Sequence, residues 1–306
     1  MSLSDDLRNE LAAIAPRNEC DRLAELSGLF HTAGSVHLRG RGEVAVQLDV
    51  GSSPVARRAF SLLRTFGVHS EIRTYRQRAF DRATRYQLHI DGDGHALQVL
   101  HEAGVLTNRL APLDHPPGRV VARSCCRTSY LRGALMGGSS LSGPRAPHLE
   151  IRSASPAGAA FLAEVAERER ASLTTLDRGR HAVAYAKGTD AIADVLAAAG
   201  ARDTVLAFEE RVVMGATRAR ANRLANADHA NLVRASRAAG AQLRAVERLR
   251  RSGELRRLPA PLQEIADLRE RHPTLPLREL ALKCRPPATK AAAHRRLQKL
   301  QQLAGP

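Results

Sequence analysis

The chain has 306 residues, of which 43% are hydrophobic and 25% charged, a composition typical of a globular protein with two or three domains. It has no apolar run long enough to cross a membrane, which argues against an integral membrane protein. It also has no tryptophan, which argues against a surface on which the bases of single-stranded nucleic acid stack. The net charge of +16 is uneven, because residues 211–306 hold 21 Lys and Arg against 7 Asp and Glu. Such a basic third attracts polyanions.

Residues 1–21 predict a separate N-terminal helix. We place its start at Ser4, as the N-cap of a helix over residues 4–15, because Asp5 and Asp6 then lie in the first turn, where the helix dipole favours negative charge. The segment lacks the basic and apolar regions of a signal peptide, so we expect a cytoplasmic protein.

From residue 22 to residue 207 one order of elements occurs twice. Two apolar segments interrupted by glycine, LSGLFHTAG at 26–34 and LRGALMGGS at 131–139, each precede a strand and then a helix that opens with Ser-Pro. The repeated unit is αββαββα, which predicts a tandem, pseudo-symmetric α+β domain. The elements predicted for the first copy are a helix over 22–33, a strand over 43–50, a helix over 53–67, strands over 70–75 and 85–90, and a helix over 95–104. Those predicted for the second copy are a helix over 131–141, a strand over 147–153, a helix over 155–169, strands over 171–176 and 181–186, and a helix over 190–200.

The glycines of the two segments are interpreted as structural residues. Glycine and alanine let helix backbones approach closely, so we expect the two glycine-bearing helices to pack against each other across a pseudo-twofold axis. The strands then extend to either side of this pair as a saddle. The glycine pattern therefore predicts a close helix–helix contact at the centre of the domain.

The four cysteines are Cys20, Cys125, Cys126 and Cys284, and none of them forms a C-x-x-C pair. The histidines are scattered along the chain. We interpret the cysteines as buried, reduced thiols of a cytosolic protein and expect no metal site and no cofactor.

LSGLFHTAG and LRGALMGGS resemble the two LAGLIDADG segments of a single-chain homing endonuclease. In those nucleases the eighth position of each segment is typically acidic, and the two carboxylates hold divalent metal over the scissile phosphates. The matching residues here are Ala33 and Gly138, and the sixth positions are His31 and Met136. None of these side chains is a carboxylate, so the resemblance implies a saddle domain without nuclease activity. We interpret His31 as a hydrogen-bonded core or rim residue.

The last third predicts helices only. Residues 208–258 are interpreted as a basic linker of one or two long helices, ending at the hinge RRLPAPL. Residues 259–306 predict an all-α helix-turn-helix domain with helices in the segments 259–273, 276–284 and 288–304. In the last helix Ala293, Leu297, Leu300 and Ala304 share one face and should be buried.

The opposite face of that last helix is a candidate recognition surface for duplex DNA. Small alanines at its start would let the helix sit deep in the major groove, while arginine and glutamine donate to base edges. Threonine and lysine at the helix N-terminus suit phosphates. The alternative is a three-helix module for protein contact. The candidate DNA-binding residues are Lys283, Arg285, Thr289, Lys290, Ala291, Ala292, His294, Arg295, Arg296, Gln298 and Lys299.

A closer resemblance covers nearly the whole chain. It rests on YLRGALMGGSSLSGP at 130–144, RANRLANADHANLVRAS at 220–236 and the stretch from PLQEIADL to HRRLQKL at 261–300. These stretches resemble the WhiA family of bacterial regulators, which joins a LAGLIDADG-like domain to a helix-turn-helix.

That resemblance implies sequence-specific binding to promoter DNA and control of sporulation, cell division and chromosome segregation. It also implies a nucleoid-associated location and a WhiB-like regulator as partner. Two other functions stay open from the residues themselves. One is a residual metal-dependent endonuclease, and the other is a non-specific nucleoid-associated protein.

Overall fold

A computed structural model describes residues 2–38, 44–76, 84–143 and 146–305. The chain divides into an N-terminal unit, Met1–Thr217, and a C-terminal unit, Arg218–Pro306. The helices are α1 (Leu3–Ala13), α2 (Glu19–Ala33), α3 (Ser53–Thr65), α4 (Gly94–Glu102), α5 (Ser124–Gly138), α6 (Pro156–Arg168), α7 (Thr189–Ala199), α8 (Arg202–Arg251), α9 (Ala260–Arg271), α10 (Leu277–Leu282) and α11 (Lys290–Leu303). The strands are β1 (Gly34–Leu38), β2 (Val44–Val50), β3 (Ser70–Arg76), β4 (Thr84–Asp91), β5 (Ser139–Ser142), β6 (His148–Ser153), β7 (Thr174–Asp177) and β8 (Ala182–Lys187).

The predicted repeat is confirmed in the N-terminal unit. Its two four-stranded sheets have the orders β1-β2-β4-β3 and β5-β6-β8-β7, and neighbouring strands are antiparallel. The strand predicted over 43–50 runs from Val44, and Glu43 lies outside the described residues. Residues of β2 alternate between buried and half-buried, so one face of the sheet covers the core. Helix α2 runs directly into β1 and α5 into β5, which places the two helix ends beside the sheets.

Helices α2 and α5 touch through their backbones at the glycines. A Cβ atom added at Gly28 would lie 2.2 Å from the carbonyl oxygen of Tyr130, and one added at Gly133 would lie 2.1 Å from that of Glu25. Real Cβ atoms do not approach so closely, so only glycine fits at either position. The predicted close contact between the two glycine-bearing helices is therefore present.

A buried ion cluster braces this helix pair. The Glu25 carboxylate on α2 has no exposed side-chain surface, and it accepts hydrogen bonds from Arg58 Nε on α3 at 2.6 Å and Arg132 Nε on α5 at 2.9 Å. Arg132 also donates to Ser129 Oγ at 2.8 Å. This cluster, which was not predicted from the sequence, joins three helices by charge as well as by packing.

The N-terminal helix departs from the prediction in two ways. Its N-cap is Ser2, which forms a capping box with Asp5, whereas Ser4 lies within the helix and bonds to the backbone of Leu141. Leu3, Leu7 and Leu11 are buried in the core of the N-terminal unit. Residues 1–21 are therefore not a separate segment, because this apolar face is part of the main core and α2 already begins at Glu19.

The basic linker is also placed differently from the prediction. Helix α8 is continuous from Arg202 to Arg251, so the expected boundary at residue 207 falls inside it. Its start belongs to the N-terminal unit and its end packs in the C-terminal core through Val246 and Leu249. Leu224 and Leu232, predicted on one apolar face, are 60% and 69% exposed. Among the described residues, no helix is both long and apolar enough to cross a membrane.

Candidate nucleic-acid interface

Helices α9, α10 and α11 form a three-helix core in the C-terminal unit. As predicted, Ala293, Leu297 and Leu300 of α11 are buried, and Ala304 packs against the same core. Thr289 is the N-cap of α11, and its hydroxyl accepts the Ala292 backbone N–H at 3.2 Å. The buried face and the cap fix the rotation of α11, so its opposite face is held outward.

The outward face of α11 collects most of the candidate DNA-binding residues. Those that are exposed in the structure are Lys283, Arg285, Thr289, Lys290, Ala291, His294, Arg295, Gln298 and Lys299. Ala292 is half-buried at the start of the helix. Two short side chains therefore stand at the N-terminal end of α11, with longer basic and amide side chains along the rest of the face.

Arg296 lies differently from the other candidates. It is half-buried, and its Nη1 lies 3.9 Å from Glu264 Oε2 on α9. The same Glu264 carboxylate accepts the Arg285 backbone N–H at 2.6 Å, which holds the turn before α11 against α9. The guanidinium of Arg296 therefore lies toward α9, and its contact with DNA stays a prediction.

In the C-terminal unit, two acids of α9 are paired with an arginine, whereas basic residues on the outward face of α11 are not paired with acids among the described residues. Arg250 on α8 pairs with Asp267 at 2.6 Å and Glu270 at 2.7 Å, so these two acids of α9 are neutralised within the fold. In the described part of the chain, Lys290, Arg295 and Lys299 have no carboxylate within ion-pair distance. This leaves α11 with unneutralised positive charge, the condition for attracting a phosphate backbone.

In the N-terminal unit, Ala33 and Gly138 end α2 and α5 and line one cavity of about 760 Å³. Neither helix supplies a carboxylate here, as predicted. The wall nonetheless contains acids from other elements, which sequence analysis did not predict. The charged residues that line this cavity are Asp5, Arg8, Asp49, Arg85, Glu150, Arg152 and Arg178.

Each of these carboxylates already has a basic partner. Asp49 accepts hydrogen bonds from both Arg85 and the Tyr75 hydroxyl. Glu150 lies 2.8 Å from Arg178, and Asp5 lies 3.6 Å from Arg8. A divalent cation needs carboxylate oxygens free to bind it, and here it would meet four guanidinium groups. The cavity is therefore poorly suited to holding the metal that phosphodiester cleavage requires.

On the polar face of the first sheet, half-buried side chains are likewise hydrogen-bonded to one another. Gln87 Nε2 donates to Gln47 Oε1 at 3.1 Å, and the His89 ring lies 2.7 Å from Gln87 Oε1. On the neighbouring strand Arg73 pairs with Glu71 at 2.7 Å. These side chains are bonded to one another, so this face has less to offer a nucleic acid than α11 does.

His31 is a rim residue, consistent with its interpretation from sequence. Its Nδ1 lies 2.8 Å from the Ser27 carbonyl oxygen, to which it donates, and its Nε2 is shielded without a hydrogen-bond partner among the described residues. Burial lowers the pKa of His31 to about 4. The neutral ring is therefore the form that the folded state favours.

We expect this histidine to make the N-terminal unit sensitive to acid. The unfolded chain takes up the proton near pH 6.5 and the folded one only near pH 4, so stability is full above pH 6.5 and falls as the pH drops between these values. The loss reaches about 3 kcal/mol. Urea unfolding at pH 7 and pH 4.5 measures it, and His31→Gln should reduce the difference between the two. An undiminished difference in that variant would contradict the assignment.

Three of the four cysteines meet where α2 and α5 begin. Cys20, Asp21, Cys125 and Cys126 bring their sulfur and carboxylate atoms to within 4.8 Å of one another. The cysteines were interpreted from the sequence as reduced thiols without a metal site, because none of them forms a C-x-x-C pair and the histidines are scattered. Aligning α2 with α5 residue by residue would have found the group, since both helices have 15 residues and begin at the same point of the repeat.

Comparison with known proteins agrees with this architecture. Residues 19–106 match the WhiA N-terminal LAGLIDADG-like domain, residues 127–218 the WhiA LAGLIDADG-like domain and residues 221–304 the WhiA C-terminal HTH domain. A probable cell division protein WhiA from Symbiobacterium thermophilum is 33% identical over 99% of this chain and 98% of its own length. Another from Heliobacterium modesticaldum is 32% identical over 99% and 96%.

Solved structures show the same fold. The full-length DUF199/WhiA crystal structure from Thermatoga maritima aligns with a TM-score of 0.58 and 19% identity over 99% of this chain and 98% of that one. The N-terminal LAGLIDADG domain of DUF199/WhiA aligns with a TM-score of 0.51 and 15% identity over 65% and 90%. With three family domains in order and relatives that match along its whole length, this chain belongs to the WhiA family.

Proposed function

We propose that this protein is a sequence-specific regulator that binds promoter DNA through α11 and controls genes of cell division. The observation that carries the proposal is the outward face of α11, which is basic, exposed and unneutralised above a well-packed core. The relatives' name, probable cell division protein, supports the biological process. Control of sporulation and chromosome segregation is the finer part of the proposal and rests on family resemblance.

The chemistry of α11 divides into two roles. Arg295, Gln298 and Lys299 lie along the exposed face, where guanidinium, amide and ammonium groups donate to base edges in the major groove. Lys290 and the capped N-terminus lie at the end that meets phosphate. Ala291 and Ala292 are small enough to let the helix end approach the groove floor.

These roles predict different losses on substitution. Arg295→Ala should lose discrimination at one base position, about 1–3 kcal/mol, because a base-edge contact is removed. Lys290→Ala should weaken target and random duplexes alike and lower the salt dependence, because only a phosphate contact is removed. Affinities of the full chain for a duplex selected from a random pool, and for scrambled duplex, at several salt concentrations measure both effects.

Arg251→Ala is the matched control for these variants. Arg251 is an exposed arginine of the same unit that belongs to α8 rather than α11 and pairs with Glu247 on its own helix. We expect its affinity and specificity to match those of the unaltered chain. If Arg295→Ala and Lys290→Ala also leave binding untouched, the α11 proposal is wrong. If every duplex binds equally at physiological salt, the protein is a non-specific nucleoid-associated protein.

We further propose that the protein has no nuclease activity. The reason is that Asp49 and Glu150, the acids near the ends of α2 and α5, are engaged by Arg85 and Arg178. Supercoiled plasmid incubated with the protein and Mg²⁺ or Mn²⁺ should stay intact. Discrete linear fragments would contradict the proposal, and their loss in Glu150→Gln would trace the cutting to this cavity.

Location and partner complete the proposal. A DNA-binding regulator acts at the nucleoid, so we place the protein in the cytoplasm in association with chromosomal DNA. A WhiB-like regulator is the partner that the family resemblance implies. These two statements follow from the proposed function and from the resemblance.

A further inference from the structure

The first turns of α2 and α5 place four potential metal ligands in symmetry-related positions. Cys20 and Cys125 are the second residues of the two helices, and Asp21 and Cys126 are the third. Because the helices pack against each other across the pseudo-twofold axis, their first turns face each other. Each half of the repeat thus contributes one adjacent pair of donors to the same place.

The distances within this group suit one tetrahedral ion. All four donor atoms lie within 4.8 Å of one another, and the sulfurs of Cys125 and Cys126 are 4.0 Å apart. A zinc ion with bonds of about 2.3 Å to sulfur separates tetrahedral sulfur ligands by about 3.8 Å. The four side chains therefore need only small adjustments to enclose such an ion.

Asp21 supplies a second, independent observation. It is 6% exposed, and in the described part of the chain no arginine, lysine or histidine lies within ion-pair distance of it. Its hydrogen bonds come from Asn18 Nδ2 at 2.9 Å and from a thiol, Cys20 Sγ, at 3.7 Å. A buried carboxylate normally has a basic partner or binds a metal, and thiols are weak donors. A cation at the centre of the group would provide the missing positive charge.

We propose that Cys20, Asp21, Cys125 and Cys126 bind one zinc ion that joins the N-terminal ends of α2 and α5. Sulfur ligands select zinc over magnesium or calcium, and four protein ligands leave no open position, which is the mark of a structural site. Three thiolates and a carboxylate around Zn²⁺ leave a net charge of about −2, which two helix N-termini stabilise. The exposed Cys125 leaves a path by which the ion can enter.

This proposed site departs from the expectation of reduced thiols with no metal site. It is also distinct from the LAGLIDADG motif positions, because it lies at the first turns of α2 and α5 and Ala33 and Gly138 lie at their last turns. A zinc ion here would fix the spacing of the helix pair at one end while the glycines set it along the rest. The proposal does not depend on DNA binding by α11.

Cobalt titration of the reduced full chain tests the site. We expect one equivalent of Co²⁺ to give the sulfur-to-cobalt charge-transfer bands and intense visible absorption of a tetrahedral thiolate site, and Zn²⁺ to displace it. Metal analysis of the protein as purified should find one zinc per chain. Cys20→Ser and Cys126→Ser should each weaken cobalt binding by about 100-fold or more, since loss of a ligand exceeds the effect of an outer-shell change.

Two variants keep the test decisive. Cys284→Ser removes a buried cysteine of the C-terminal unit outside the group and should bind cobalt like the unaltered chain. Asp21→Asn keeps the shape of the carboxylate, so it should fold, as circular dichroism can verify, and yet bind cobalt more weakly. The proposal is overturned if the reduced protein shows no charge-transfer band, or if Cys20→Ser binds cobalt as well as Cys284→Ser does. It is also overturned if the cysteines of the purified protein form a disulfide and the thiols freed by its reduction bind no metal.

Discussion

Glu25→Gln is expected to destabilise the N-terminal unit by about 3–5 kcal/mol, the range found when one partner of a buried ion pair is removed. Glutamine keeps the size of the side chain but not the charge. Arg58 and Arg132, whose side chains are 11% and 6% exposed, would then hold two buried positive charges with no compensating anion. The loss should appear as a lower urea midpoint for this unit.

The aromatic composition allows the unfolding of the N-terminal unit to be measured in the full chain. The chain has no tryptophan, and its four tyrosines, at positions 75, 86, 130 and 185, all lie in the N-terminal unit. Near-ultraviolet circular dichroism of the full chain therefore follows that unit alone. Glu164→Gln is the control, because Glu164 pairs with Arg168 on an exposed helix surface and such pairs contribute about 0.3–0.5 kcal/mol. Equal midpoints for the two variants would show that the buried cluster does not stabilise the fold.

The fold could be predicted because it is repeated. Two Ser-Pro helix starts, at Ser53 and Ser155, and two glycine-bearing segments placed the same unit twice along the chain, and period-two alternation identified β2. The helix predicted over 53–67 begins at Ser53, and the helix predicted over 155–169 begins at Pro156 with Ser155 as its N-cap. Local patterns carry this information because helix starts and strand faces depend on residues within a few positions of one another.

The partners of charged side chains could not be predicted in the same way. Asp49 meets Arg85, and Glu25 meets Arg132, across separations that no local pattern spans. Whether a carboxylate near the helix ends is free to bind metal depends on these distant arginines. The sequence showed that the motif positions lack acids, and only the fold showed that the neighbouring acids are already paired.

The candidate DNA surface was predictable in part. The buried side of α11 follows from its spacing of apolar residues, so Arg295 and Lys299 could be placed on the open side. Arg296 stands at the edge of that face, and the spacing alone did not show that its guanidinium lies toward α9. Whether its side chain points to solvent or to Glu264 depends on α9, and a helical wheel of α11 alone gives no information about that neighbouring helix.

Gly133→Ala is expected to destabilise the N-terminal unit by at least about 3 kcal/mol, at or beyond the upper end of ordinary overpacking. The added methyl would lie 2.1 Å from the carbonyl oxygen of Glu25 and 3.0 Å from the Leu29 backbone nitrogen, so α2 and α5 would have to move apart. Alanine raises helix propensity by about 1 kcal/mol, which works against this loss but does not offset it.

Gly94→Ala separates the clash from a general effect of replacing glycine. Gly94 begins α4 in the same unit, and a Cβ atom there meets no atom within 4 Å. We expect its stability to stay unchanged or to rise by up to about 1 kcal/mol, because alanine restricts the unfolded chain. If Gly133→Ala unfolds at the same urea concentration as Gly94→Ala, backbone contact between the central helices does not hold this domain together. If Gly133→Ala unfolds at a much lower urea concentration, the spacing of α2 and α5 leaves no room for a methyl group.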